Sequence, residues 1–291
     1  MRNDNRRRSD LLTISKLFTL TALIVALFAC AACAAEKTIA GLGTNGINKP
    51  SESGGGWSYV YYGNYKDNPV LYRVLTPSTT DFGGKTMLLD CDSILEYVQF
   101  KKDATIEPGK PKPNEWTHSD VKKWLNEEED GFLKKSGNFT TAEEAAIALS
   151  KKDAPAGGPT YNLTHTGLST DGDTVFLLDV TEVTNAAYGY ANNDTRVKKL
   201  NGERGYWWLR SPDSDDGLGV GRVNYDGKVH DRYAILNNVG VSPAFNVNLS
   251  SVIFSSLIKG TSDEYKLTLE DNSIGLNVGK ITRDKDKITV T

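Results

Sequence analysis

Short apolar runs of strand length, each closed by turn-forming residues, recur along the chain and constrain its fold more than any other feature. Trp57 to Tyr62 and Val70 to Leu75 are rich in aromatics and valine, and the turn residues Gly63-Asn64-Tyr65-Lys66-Asp67-Asn68 join them, so the pair reads as a hairpin. Thr86 to Cys91 is a further strand, and the continuous apolar run Val175-Phe176-Leu177-Leu178 reads as a buried one. Between them lie two helix starts. Ser119 is an N-cap followed by Asp120, with Val121, Trp124 and Leu125 on one helical face. Thr140 and Glu143 form a capping box that opens a helix expected to run through Leu149. Residues 101–115 and 151–172 read as loops. Strands, two helices and then more strands define an α+β domain with antiparallel strands, not a repeating βαβ one.

The N-terminus reads as an export signal over residues 1–35. Arg6-Arg7-Arg8 and Lys16 precede the apolar run Leu17 to Ala29, and small residues follow as Ala29-Cys30-Ala31-Ala32-Cys33-Ala34-Ala35. Leu17 to Ala35 would also just cross a bilayer, which makes an uncleaved anchor the alternative. Lipidation of Cys30 or Cys33 is open beside ordinary cleavage, though neither context is a clean lipobox. The expected location is therefore secreted or envelope-attached, with membrane contact only through the signal or a lipidated cysteine. Residues 36–56, rich in glycine and serine, read as a linker. Within them Gly41-Leu42-Gly43-Thr44-Asn45-Gly46 matches G-x-G-x-x-G but lacks the flanking strand and helix that dinucleotide binding requires.

Five of the 34 Lys and Arg residues and two of the 37 Asp and Glu residues fall in the first 33 positions, which leaves 29 against 35 in the body. A mildly acidic body is a poor match for a phosphate backbone, so no nucleic-acid partner is expected. Beyond the signal Cys91 is the single cysteine, so no internal disulfide forms, and its apolar context reads as a buried structural thiol. His118, His165 and His230 lie far apart, and Asp213-Ser214-Asp215-Asp216-Gly217 departs from a calcium loop because its glycine comes early and no glutamate completes it. No metal, no cofactor and no catalytic residue is expected, because neither a nucleophile–base pair nor a metal cluster is legible. Asn138, Asn162, Asn193 and Asn248 head sequons that matter only in a glycosylating host.

Residues 206–249 carry the recognisable pattern: Tyr206-Trp207-Trp208-Leu209-Arg210-Ser211-Pro212, a stretch rich in Gly, Asp, Asn and Tyr, then Gly240-Val241-Ser242-Pro243-Ala244-Phe245. This resembles a bacterial family of exported or surface proteins with a W-W-L-R-S-P … G-V-R-P-A-F signature. Val60 to Tyr65, Tyr72 to Leu75, Val121 to Asn126 and Val175 to Leu178 extend the resemblance over about residues 57–250. Asp213 stands where glycine is usual, and Ser242 where arginine is usual and would supply an ionic partner. The resemblance implies a C-type-lectin-like fold akin to formylglycine-generating enzymes, although the reactive cysteine pair of those enzymes is missing here. It also implies likeness to the variable proteins of diversity-generating retroelements, in which residues between the two signature halves are diversified to bind new ligands. Residues 57–250 are then the lectin-like domain, and 251–291 a small β appendage that docks on it or moves.

In the 213–238 stretch, a three-residue loop Tyr225-Asp226-Gly227 with Gly227 left-handed pairs Val223 with Val229 on the core face. Arg222, Asn224, Lys228 and His230 then share the opposite, exposed face, with Tyr225 at the tip and Arg232, Tyr233 and Asn237 further along. Tyr, Asn and Arg on a rigid scaffold are what a paratope uses. The expected function is non-enzymatic binding of a protein or glycan; a structural or adhesive envelope protein with only solvent-facing filler here is the alternative. Trp207 and Trp208 point to opposite faces of a strand, one of them core and the other a sugar platform or packed under a loop. The first and last strands, at 57–75 and 240–249, are expected to be neighbours.

Overall fold

The β-branched and aromatic runs fold as strands of a mixed sheet in a computed structural model that describes residues 40–271, 281–284 and 287–290. Strands β1 (Ala40–Leu42), β2 (Tyr59–Tyr65), β3 (Asn68–Thr79), β4 (Thr86–Cys91), β6 (Val175–Phe176), β13 (Ala244–Asn248), β14 (Val252–Leu257) and β15 (Glu264–Leu269) form one eight-stranded sheet, in the order β1-β14-β15-β2-β3-β4-β13-β6. Every residue of β4 is buried, as suits a central strand covered on both faces. Phe245 of β13 is wholly buried, with its ring 4.9 Å from Tyr72, 5.3 Å from Tyr62 and 6.4 Å from Phe139.

A second sheet joins β5 (Glu96–Tyr97), β9 (Trp207–Pro212), β10 (Gly219–Val223), β11 (Val229–Tyr233) and β12 (Gly240–Val241) in the order β11-β10-β9-β12-β5. Two small ribbons, β7 (Lys199–Leu200) with β8 (Glu203–Arg204) and β16 (Ile281–Asp284) with β17 (Lys287–Val290), complete the strands.

Among the described residues there are three α-helices: α1 (Asp120–Asn126), α2 (Thr141–Ala146) and α3 (Asn193–Arg196). The Ser119 side chain caps α1 by accepting from the Lys122 N–H, and the Thr140–Glu143 box caps α2 in both directions. The fold is thus sheet-rich with few helices. None of the described helices is long and apolar enough to cross a membrane, and residues 1–35, the expected export signal, lie outside the described residues.

Four expectations need correction. Helix α2 stops at Ala146 instead of Leu149, because Ile147 bridges Val247 and the Ala148 N–H donates to the Asn246 carbonyl at 2.8 Å, so the edge of the sheet outcompetes helix propensity. The short helix α3 was not anticipated. The strands β2 and β13 share a sheet but are separated by β3 and β4, and β2's other neighbour is the parallel β15. Residues 252–269 are therefore part of the main sheet, where they cover an edge that would otherwise offer unpaired backbone groups. The 36–56 stretch is not a free tether over its described part: Ile47 is buried, the Gly55 N–H donates to the Gly189 carbonyl at 2.9 Å, and the Tyr265 hydroxyl donates to the Gly46 carbonyl at 2.7 Å.

Candidate functional site

Two buried ionic clusters hold the segment that carries the recognisable pattern. Strand β9 sends Trp207 and Trp208 to opposite faces, yet both are wholly buried. The Trp207 indole N–H donates to the Arg196 carbonyl at 3.1 Å, and the Lys198 ammonium lies 4.1 Å from its ring centre. Trp208 is packed under a loop, donating to the Val98 carbonyl at 2.8 Å and meeting Phe100 edge-on, so neither ring is an open sugar platform. Two residues on, Arg210 grips Glu182 with two nitrogens at 2.7 and 3.1 Å and also donates to the Leu177 and Thr166 carbonyls. Burial alone would raise the Glu182 carboxyl, but the charges of Arg210 and then Lys152 outweigh it and hold the group down to about 2. The Ser211 hydroxyl donates to Asp179 at 2.6 Å.

The second cluster centres on Asp90. Lys198 donates to both its oxygens at 2.8 and 2.6 Å, and the Tyr190 hydroxyl donates as well. Lys198 also reaches the Ser242 hydroxyl at 2.7 Å, which itself lies 3.0 Å from the Cys91 carbonyl. At Ser242, where the resemblance implies an arginine, the hydroxyl meets a buried lysine from the segment after α3. Burial pulls the Lys198 ammonium's affinity for its proton down, against the pull of Asp90. Cys91 is buried and its thiol is pushed up to about 11 by burial, which makes it a poor nucleophile.

From this frame β10 and β11 project as a hairpin. Val223 pairs with Val229 and Arg222 with His230; the Asn224 N–H donates to the Lys228 carbonyl at 2.8 Å, and Gly227 has φ +79°. That is the three-residue loop with a left-handed glycine, and both valines are buried. The tip is seated on α3: the Gly227 carbonyl accepts from Arg196 Nε at 2.9 Å, and a Cβ built on Gly227 would lie 1.8 Å from the Asn193 carbonyl oxygen.

Tyr225, Lys228, His230, Arg232, Tyr233 and Asn237 are exposed, and Asn224 is half-buried. Arg222, expected in the exposed set, is only 6% exposed. Its guanidinium lies 4.2 Å from the centre of the Tyr206 ring, which in turn meets Tyr225 edge-on at 5.6 Å. Strand alternation gave no sign of this, because the covering tyrosine comes from the start of the neighbouring strand. Among the described residues Arg222 makes no hydrogen bond or ion pair; its Nε is enclosed and unpartnered, as is Asn224 Oδ1. Burial, and then the charge of Arg232, depress the guanidinium's proton affinity. On the exposed side Arg232 Nη1 lies 3.1 Å from His230 Nδ1 and donates to the Asp231 carbonyl at 3.1 Å.

The 213–217 acidic turn is occupied by its own backbone. Asp213 Oδ1 accepts the Asp215 N–H at 2.7 Å, and Asp216 Oδ1 accepts from Leu218 and Gly219. Among the described residues no three His, Cys, Asp or Glu side chains are grouped to hold a metal ion. Two open clefts of about 340 and 330 Å³, one beside Phe82 and Leu149 and one beside Lys49 and Tyr188, are lined by residues outside 213–238.

Fold and site together define a sheet-rich domain in which buried ion pairs fix a tryptophan-bearing strand, and that strand supports a hairpin with an aromatic and basic outer side. Residues 83–249 match the family described as Domain of unknown function (DUF6273), more than half of the 291 residues, and the chain belongs to that family. The matched span holds both ionic clusters and the whole hairpin, whereas β1, β2, β3, β14 and β15 add the rest of the main sheet from outside it. No curated protein and no solved structure matches the chain.

Proposed function

We propose that the protein is an exported, non-enzymatic ligand-binding module of C-type-lectin-like architecture. Its recognition surface is the outer side of the β10–β11 hairpin and the segment after it, and its ligand is a glycan or protein outside the cytoplasm. The observation that carries this reading is the pairing of a rigid base with an adaptable face. The tip is pinned through Gly227 to α3, and the valines lock the register, while Tyr225, Lys228, His230, Arg232, Tyr233 and Asn237 remain open. Exposed tyrosines give large contact area at low entropy cost, and the polar side chains beside them offer adaptable hydrogen bonding. Conserving the base while changing the face is also what the resemblance to diversified variable proteins implies. A near-copy of the segment encoding residues 206–245, next to a reverse transcriptase in the source genome, would support that diversification.

The combined substitution Tyr225→Ser, His230→Ser, Arg232→Ser and Tyr233→Ser tests the reading. Exposed changes cost within about 0.5 kcal/mol each, so the variant should remain folded. Binding found for the parent on a glycan array or in a cell-surface pull-down should disappear, because Tyr and Arg dominate hot spots. Undiminished binding by the folded variant moves the site elsewhere, and a parent that binds nothing in either assay leaves the structural or adhesive role.

A further inference from the structure

We propose that Arg222 is the anion anchor of this surface, and that the ligand is an acidic sugar whose carboxylate docks against the guanidinium. The proposal rests on the hairpin being the recognition surface and names the chemistry it takes. The other buried cations among the described residues have polar partners: Arg73 reaches Asp92 at 2.6 Å, Arg210 holds Glu182, Lys198 holds Asp90, and Arg196 donates to the Gly227 carbonyl and Asn193. Arg222, 6% exposed, has only the Tyr206 ring face. Its Nε is enclosed without an acceptor while the two outer nitrogens still meet solvent, and a ring is a weaker partner than a carboxylate, whose two oxygens match the guanidinium fork.

The charges around Arg222 favour an incoming anion. The charge of Arg232 depresses its proton affinity more than the Asp231 carboxylate raises it, and that carboxylate sits 3.1 Å from His230 Nδ1. Two residues along the chain, Asn224 Oδ1 is an enclosed acceptor without a donor. A carboxylate, as on a uronic or sialic acid, would meet the two outer nitrogens of the guanidinium, which are not enclosed.

A sugar fits better than a peptide strand. The outer edge of β11, where a peptide would add, is closed at Asp231: its N–H donates to His230 Nδ1 at 2.9 Å, and its carbonyl accepts from Arg232. The exposed rings of Tyr225 and Tyr233 suit the C–H face of a pyranose.

The test titrates the full chain with a galacturonate trimer, a hyaluronan tetrasaccharide and sialyllactose. The methyl-esterified trimer and lactose serve as neutral counterparts, and hexaglutamate as an acidic peptide. Calorimetry gives the affinities, and the Arg222 Nε–H resonance of the parent protein reports contact. At least one acidic sugar should bind, shift that resonance and exceed its neutral counterpart by about tenfold or more, the fold-change a charge-assisted hydrogen bond carries. Arg222→Gln should lose the same factor, and Arg222→Lys should keep part of it. If Arg222→Gln fails to fold, the resonance shift in the parent decides. Equal binding of acid and neutral forms, or an unaffected Arg222→Gln, overturns the anchor while the recognition surface stands. Hexaglutamate bound in place of the sugars overturns the glycan assignment. No binding to any acidic sugar also overturns the anchor, and the glycan array then judges the surface on its own.

Discussion

Replacing Arg210 by glutamine should cost about 3–5 kcal/mol at neutral pH, and that cost should shrink on acidification. Arg210 is wholly buried and serves Glu182, Leu177 and Thr166 at once, while Glu182 is 2% exposed. The Glu182 carboxyl is held down from 4.5 to about 2 in the fold although burial opposes this, and Arg210 is the largest of the causes that lower it. At about 1.4 kcal/mol per unit, that displacement is worth roughly 3 kcal/mol, near the low end of what breaking a buried pair costs. The sign follows from linkage. A carboxyl depressed in the folded state contributes its full stability above the unfolded value, here near 4.5, and loses it as pH falls toward about 2.

In the glutamine variant only Lys152, at 2.8 Å, still faces Glu182 with a charge, so the carboxyl rises and the variant has less to lose in acid. Urea unfolding followed by tryptophan fluorescence should therefore show a wide gap between parent and variant near about pH 7 and a narrower one near about pH 3.5. At neutral pH the melting temperature should fall by about 6–20 °C, using about 2–4 °C per kcal/mol for a domain of this size. The double change Arg210→Met with Glu182→Leu should recover much of the loss, because an apolar pair leaves no stranded charge. A neutral-pH cost below about 1 kcal/mol, or the same cost at both pH values, would refute this account of the cluster.

Phe245→Ala empties a wholly buried position ringed by Tyr62, Tyr72 and Phe139, and should cost about 3–5 kcal/mol in the same urea assay. Gly227→Ala places a methyl against the Asn193 carbonyl at a residue with φ +79°, so the loop must lift from α3. Where a strain-free Gly→Ala change would stabilise by about 0.4–1 kcal/mol, this one should destabilise by more than about 1 kcal/mol, and the Asn224 and Lys228 amides should exchange faster; unchanged exchange would mean that the tip is not seated there.

What could be read in the sequence is what local geometry decides. Ser119, the Thr140–Glu143 box and the Asp226-Gly227 loop act through neighbours three or four residues away, and each sits in the structure as its spacing implies. The burial of Phe245 and of one of the two tryptophans follows from aromatic size within strand-length runs, whereas the packing of the other under a loop is decided by distant residues. The pairing of buried charges was not legible: Arg210 meets Glu182 across 28 positions and Lys198 meets Asp90 across 108, and each charge taken alone reads as solvated surface. The same limit hid the covering of Arg222 by Tyr206 and the early end of α2, both of which are decided by a neighbouring strand.

Those buried charges bear on how freely the proposed face can vary. Every residue of β10 is buried and three of its five are Gly219, Gly221 and Arg222, where β9, Asp213, Leu163 or Tyr206 lies in close contact. A Cβ on Gly221 would meet Leu163 Cδ1 at 2.8 Å, so this strand has little room for new side chains. On β11 His230, Arg232 and Tyr233 are exposed, and no hydrogen bond or ion pair ties them to either ionic cluster. The proposed recognition surface therefore narrows from 213–238 to the tip, β11 and the segment through Asn237, with Arg222 beneath it as a fixed element. Substitutions above that level alter what the face meets without reaching the Glu182 or Asp90 clusters, so the hairpin can change its chemistry at little cost to the fold.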